Sequence, residues 1–292
     1  MKPSDIAELL LLSALWGGSF LFMRIAAPVL GPGWLIELRV LIAGIALLPL
    51  LLRLRSRSVI RAHLQPLFLV GVLNSALPFL LLAFASVSLP AGYTSILNAT
   101  TPLFGMVIAA VWYQEKLTPE RLLGLGLGFV GVVILIGWQT LSMTTTVIAS
   151  IVAGLLAAVA YAVAAPYAKR QLTGVSPLVT TTVSQLSAAV ALFPLLPFTV
   201  PSVMPSAQVV LVVLALAILS TAFAYILYFR LIQNVGSSKA LTVTYLVPAF
   251  AMVWGWLVLR EPITFAMAIG CGLILLGTAI VNDVFKAFFK AR

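Results

Sequence analysis

Charge is scarce in this chain. Only 8% of its 292 residues are Asp, Glu, Lys or Arg, and seven of them are acidic. A water-soluble domain carries about 25% charged residues, so this composition cannot assemble a water-facing surface. Nor is it the composition of a disordered chain, which is poor in apolar residues; here 62% are hydrophobic and the mean hydropathy is +1.17. The net charge of +10 would suit a nucleic-acid binder, but the basic residues have no polar surface to occupy, which excludes nucleic acid as a partner. A single cysteine, Cys271, excludes an internal disulfide or cysteine-rich metal site, and the lone His63 has no second histidine to share a metal. No metal or other cofactor is expected. Glycine-rich runs lack a preceding strand and a following Lys-Ser/Thr, so a phosphate-cradling loop is excluded too. No cleavable signal peptide is expected, because the first apolar run is followed by Gly31-Pro32 rather than a small-residue cleavage site.

What the chain has is long apolar runs. A spanning helix needs about 20 such residues. Breaks at charge clusters and at Gly/Pro/Ser-rich joints give ten candidates, at 6–26, 33–52, 64–86, 92–113, 119–137, 147–167, 177–198, 207–229, 237–259 and 262–283. The expected fold class is an all-α integral membrane protein. Basic residues in short loops prefer the cytoplasm. With the N-terminus inside, every one of the 17 basic residues except Arg24, Arg39 and Arg260 falls on the inner side, so both termini are expected in the cytoplasm. The run Arg53, Arg55, Arg57 and Arg61 is a topology signal that touches anionic headgroups of the bilayer. The tail from Val284 to Lys290 mixes aromatics with lysine and is expected to lie in the inner interface.

Self-comparison finds an internal repeat. Trp16 to Arg24 matches Tyr161 to Lys169, and Pro32 matches Pro177, at an offset of 145. Pro102, Glu115, Thr118, Gly124, Gly126 and Gly131 match Pro248, Glu261, Thr264, Gly270, Gly272 and Gly277 at an offset of 146. The chain therefore divides into residues 1–140, a first five-helix repeat, and residues 141–292, a second one with a short interfacial tail. An odd number of crossings per repeat forces the two into opposite orientations, the inverted topology of many secondary transporters, with the substrate site between them near the midplane. Arg24 and Arg260 are then outer counterparts of inner positions, whereas Arg39 aligns with Ser184 at the first offset.

The pattern Ala14-Leu15-Trp16-Gly17-Gly18-Ser19-Phe20, Leu38-Arg39, and Thr101-Pro102-Leu103 through Trp112 to Glu115 resembles the EamA family of the drug/metabolite transporter superfamily. So does Leu246-Val247-Pro248 through Glu261-Pro262-Ile263-Thr264. The resemblance covers essentially the whole chain, and YddG-type aromatic amino acid exporters are the members to compare. It implies ten helices, inward and outward states exchanging around a central cavity, and export of amino acids or other small metabolites. The four-helix multidrug exporters of that superfamily carry a glutamate in the first span that binds proton and drug. The matching position here is Trp16, so that proton site is missing.

All seven acidic residues lie at or near the ends of spans, where water is expected to reach them, so a mid-membrane carboxylate relay is disfavoured. The midplane offers amide, hydroxyl and aromatic groups instead. The expected cavity residues are Trp16, Asn74, Phe79, Ser95, Asn98, Tyr161, Tyr225 and Tyr245, which together can stack a ring and hydrogen-bond a polar end. Each has a plainer reading as packing or as a cross-helix hydrogen bond. Pro102 and Pro248 free backbone carbonyls and are expected gate or hinge points. Arg39 lies about two turns inside the outer surface. Snorkelling to the headgroups is its favoured reading, and contact with a substrate carboxylate is the functional one. Small residues at Gly124, Gly126 and Gly128 let helices approach closely; they serve either the packing of the fifth span on the tenth or a weak dimer of an otherwise monomeric protein.

The expected function is a secondary transporter that exports small metabolites, chiefly aromatic or neutral amino acids, by alternating access, in a bacterial inner membrane. A broad drug/metabolite or nucleotide-sugar-type exchanger is the alternative within transport. An intramembrane enzyme is disfavoured because no convergent nucleophile, base or metal set exists.

Overall fold

The computed structural model describes residues 2–54, 56–114, 117–138 and 142–282. A backbone in hydrocarbon must satisfy its own N–H and C=O groups, which leaves helices or closed barrels; the described residues contain helices and no strand. The long helices are α1 (Pro3–Arg53), α2 (Leu64–Ser88), α3 (Ala91–Trp112), α4 (Pro119–Gly137), α5 (Thr145–Gln171), α6 (Pro177–Phe198), α7 (Ala207–Val235), α8 (Val243–Leu259) and α9 (Phe265–Val281). The first seven of these are long and apolar enough to cross a bilayer, while α8 and α9 are shorter apolar helices. Large apolar side chains such as Val133, Phe198 and Phe265 point outward with most of their surface exposed, which suits a lipid-facing belt and not water.

α1 is one helix in name only. Gly31 takes φ 73° and ψ 152°, a conformation that favours glycine, and Pro32 follows without an N–H to donate. A straight helix would separate Met23 from Arg39 by about 24 Å. Instead the Arg39 Nη1 lies 3.8 Å from the Met23 Sδ, so the two arms fold back on each other at Gly31. Other ends are set by caps. The Thr118, Thr144 and Thr264 hydroxyls accept from the backbone N–H three residues on, which starts α5 at Thr145, ahead of the expected 147, and α9 at Phe265, after the expected 262. The expected tail from Val284 lies outside the described residues.

Two π-helical turns interrupt the bundle. In α2 the turn Val72–Ala76 arises because Pro78 cannot donate to Asn74, and the Leu77 N–H bonds back to the Val72 carbonyl. In α7 the turn Ile218–Phe223 is held by the Thr221 hydroxyl, which donates to the Leu216 carbonyl at 2.9 Å. The two turns begin 146 residues apart, as do the left-handed Gln114 and Arg260, both with φ 55°.

α4 packs on α9 through glycines. A side chain on Gly131 would stand 2.8 Å from the Gly270 carbonyl oxygen, and one on Gly270 would stand 2.9 Å from that of Gly131. Gly124 meets Gly277 in the same manner. The residue numbers run in opposite senses along the contact, so the two helices are antiparallel. The main apolar core lies elsewhere, between both arms of α1 and residues of α2, α6, α7 and α8.

Candidate substrate site

The polar interior is built where α1 meets α2, α5 and α7. Gly17 has no room for a side chain, since a Cβ there would lie 2.7 Å from the Phe250 Cβ and 2.9 Å from the Ala251 nitrogen. This close approach seats the first arm of α1 on α8 and directs Trp16 to α7. The Trp16 ring lies 5.2 Å from that of Tyr228 and 6.2 Å, edge to face, from that of Tyr225. The Ser220 hydroxyl donates to the Leu15 carbonyl at 2.7 Å and pins the same crossing.

Arg39 is the centre of the arrangement. It is 4% exposed, so it does not snorkel. Its Nε donates to the Thr221 Oγ1 at 3.0 Å, in the middle of α7, and its guanidinium carbon sits 3.6 Å above the Phe79 ring. The Phe79 ring meets that of Tyr161 edge to face at 6.4 Å. Tyr161 and Tyr225 both keep part of their surface accessible. The expected snorkelling fails because the fold at Gly31 turns Arg39 toward Met23 and the bundle interior. Among the described residues no carboxylate lies within ion-pair reach of it.

Across the site a second cross-link repeats the first. The Gln185 Nε2 on α6 donates to the Ser75 Oγ at 3.3 Å, inside the π turn of α2. Gln185 stands 146 residues after Arg39, and Thr221 stands 146 after Ser75. The Arg39–Thr221 and Gln185–Ser75 contacts therefore involve residue pairs spaced by the same 146 positions, and at that spacing Gln185, not Ser184, falls opposite Arg39. The Gln185 Oε1 and, one turn earlier, the Thr182 Oγ1 are buried with no hydrogen-bond partner.

Of the expected cavity residues, Trp16, Phe79, Tyr161 and Tyr225 join this cluster with Arg39. Asn74 lies in the π turn beside Ser75, half-buried. Ser95 and Asn98 sit on α3, each with a buried side-chain oxygen that has no partner. Tyr245 faces α9 instead. Its hydroxyl accepts from the Asn282 Nδ2 at 3.0 Å and lies 3.5 Å from the Thr278 carbonyl oxygen. Pro102 begins the second segment of α3 after a break at Ala99 and Thr100, and Pro248 is buried inside α8.

The acidic residues correct the sequence reading. Asp5, Glu8 and Glu37 are 7%, 8% and 4% exposed, so none of the three stands in water. Glu8 is held by the Arg230 Nε at 3.4 Å, and a Glu37 oxygen is buried without a partner. Glu115 and Asp283 lie outside the described residues. Glu261 pairs with Arg24 at 3.2 Å, accepts from the Ala91 N–H at 2.9 Å, and borders a cleft of about 430 Å³ with Pro28, Val87 and Leu259.

A lipid-facing helical bundle with a charged and aromatic interior where its helices cross is a polytopic membrane transporter in form. The EamA-like transporter family model matches the chain twice, at residues 6–137 and 148–283, and the chain belongs to that family. It is 24% identical to an uncharacterized transporter of Archaeoglobus fulgidus, over 91% of this chain and 94% of that one. It is 26% identical to the uncharacterized transporter YoaV of Bacillus subtilis, over 90% and 91% respectively. A solved crystal structure superposes with a TM-score of 0.66 over 99% of both chains at 20% identity, which shows a shared fold.

Proposed function

We propose that this member of the family is a secondary exporter of amino acids with aromatic or neutral side chains, working by alternating access between two inverted repeats. The observation that carries the reading is the interior cluster shared by the two halves, with Trp16, Arg39 and Phe79 from residues 1–140 and Tyr161, Thr221 and Tyr225 from residues 141–292. Aromatic faces accept an apolar side chain, and a guanidinium accepts a carboxylate.

The inverted repeat is supported by contacts in which each partner plays the other's role. Gly124 meets Gly277 while Gly131 meets Gly270, and Arg39 meets Thr221 while Gln185 meets Ser75. Reciprocal contact of this kind is the mark of a two-fold relation, and antiparallel α4 and α9 require its axis to lie across them. Counting the two arms of α1 separately gives ten crossings, five in each half. Placing both termini in the cytoplasm then puts Arg24, Ser86 and Glu261 together outside and Glu8 with Arg230 inside, in keeping with their observed contacts. On the cytoplasmic face Arg53, Arg57 and Arg61 are available to anionic headgroups. A bacterial inner membrane is the site of action in this reading.

Counterflow in proteoliposomes tests it. Liposomes preloaded with unlabelled tryptophan, phenylalanine or leucine are expected to accumulate the labelled amino acid faster than protein-free liposomes. Equal accumulation across the panel would remove the amino acid assignment.

A further inference from the structure

Arg39 and Gln185, 146 positions apart, differ in chemistry, and that difference gives the site a polarity. Arg39 offers only donors and a full positive charge. It is buried with no carboxylate of the described residues beside it, although a buried charge normally persists only when paired. Gln185 is 1% exposed, and its amide donates one N–H to Ser75 and keeps Oε1 as an acceptor without a partner. The Thr182 hydroxyl, on the same face of α6, adds a second unpartnered oxygen. Ser75, which anchors Gln185, and Phe79, which carries the Arg39 guanidinium, lie one turn apart on α2. The unpaired cation and the unpartnered Gln185 acceptor therefore flank the same turn of one helix.

We infer that these groups are the two ends of a zwitterion site. The substrate carboxylate pairs with Arg39, its ammonium donates to the Gln185 Oε1 and the Thr182 Oγ1, and its side chain lies along Trp16, Tyr161 and Tyr225. This rests on the proposed amino acid reading and names the atoms that enforce it. The site takes one negative and one positive group in fixed order, so it rejects an amine that lacks the carboxylate. It also loses affinity for an acid that lacks the ammonium, because the acceptors then stay empty.

Three molecules sharing one ring separate the ends: tryptophan, indole-3-propionate without the ammonium, and tryptamine without the carboxylate. Competition with labelled tryptophan exchange is measured in proteoliposomes holding wild type, Arg39→Gln, Arg39→Lys or Gln185→Leu. Wild type is expected to rank tryptophan above indole-3-propionate and both above tryptamine. Arg39→Gln is expected to lose about tenfold or more for both carboxylates, the loss of a charge-assisted hydrogen bond, with Arg39→Lys in between. Gln185→Leu is expected to weaken tryptophan alone, so that it no longer outranks indole-3-propionate.

Melting of the purified proteins separates binding from folding. Arg39→Gln removes an unpaired buried charge and is expected to melt no lower than wild type without ligand, while losing the tryptophan-induced rise. If tryptophan exchanges in wild type but Arg39→Gln and Gln185→Leu keep the wild-type ranking, the zwitterion site is wrong and the exporter reading survives. If wild type exchanges none of tryptophan, phenylalanine and leucine, both fall.

Discussion

At the scale of single residues, exposure decides what each side chain can do. Trp16, Tyr161 and Tyr225 are semi-enclosed and share edges inside the bundle, whereas Tyr245 spends its hydroxyl between Thr278 and Asn282 of α9. The two kinds of aromatic should respond oppositely to substitution. Trp16→Ala removes the ring that faces Tyr225 and Tyr228, and exchange is expected to fall severalfold at unchanged expression, since an aromatic pair adds about 1 kcal/mol beyond the area it buries, about fivefold. Tyr245→Phe removes hydrogen bonds worth about 1 kcal/mol each, so a melting temperature lower by a few degrees with near-normal exchange is the expected outcome. Fluxes and melting curves measured on the same preparations check both. Residue type was legible from the chain, since aromatics, hydroxyls and amides were the only midplane groups on offer. Partnership was not. Tyr161 and Tyr245 look alike in sequence, and only the rotation of each helix about its axis sends one to Phe79 and the other to α9.

At the scale of helices, glycine pattern and packing agree closely. Gly124 and Gly131 recur at Gly270 and Gly277, and they are the positions where α4 and α9 touch backbone to backbone. Gly126 and Gly272 lie on the same helices with nothing within 4 Å of a Cβ placed there. Gly131→Val is therefore expected to force the helices apart, at about 1–3 kcal/mol for an overpacked contact, visible as a lower melting temperature and poorer yield. Gly126→Ala adds helix propensity worth about 1 kcal/mol in open space and is expected to melt at or above wild type. Equal damage from the two would show that the glycines act through helix propensity and not through the α4–α9 contact. The π turns were not legible. A Pro78 kink can be read from the chain, but Thr221 turning its hydroxyl back to Leu216 depends on Arg39 arriving from another helix. Reading Arg39 as a snorkelling side chain failed for the same reason, because the Gly31 fold determines which way it faces.

At the scale of the molecule, a set of side-chain bonds around Arg24 and Glu261 ties several helix ends together. Arg24 donates to Glu261 at 3.2 Å and to the carbonyls of Ser86 and Val87 at 3.0 and 2.6 Å, while Glu261 also holds the Ala91 N–H. These bonds join the ends of α1's first arm, α2, α3 and α8. Lys169, 145 positions after Arg24 in the sequence, is exposed and has no ion pair among the described residues. Arg24→Gln is expected to loosen the tied helix ends. Labelling of a Val87→Cys reporter by an impermeant maleimide, applied from outside to cells, should rise severalfold over the same reporter with Arg24 intact; the buried native Cys271 adds little background. The Arg24→Glu, Glu261→Arg exchange is expected to restore protection, and failure to do so would assign the protection to packing and not to the pair.

The chain by itself determined the solvent and the all-helical class. Too few charges to face water, apolar runs near bilayer thickness, basic residues segregated to alternate joints and a repeat at offsets of 145 and 146 are all properties of order along the sequence. Only the tertiary structure decided which polar groups meet. A helix turns 100° per residue, so one break at Gly31 or one π turn redirects every side chain beyond it. That rotation turned Arg39 from the membrane surface to the interior and left a charge and an acceptor unpartnered beside one turn of α2.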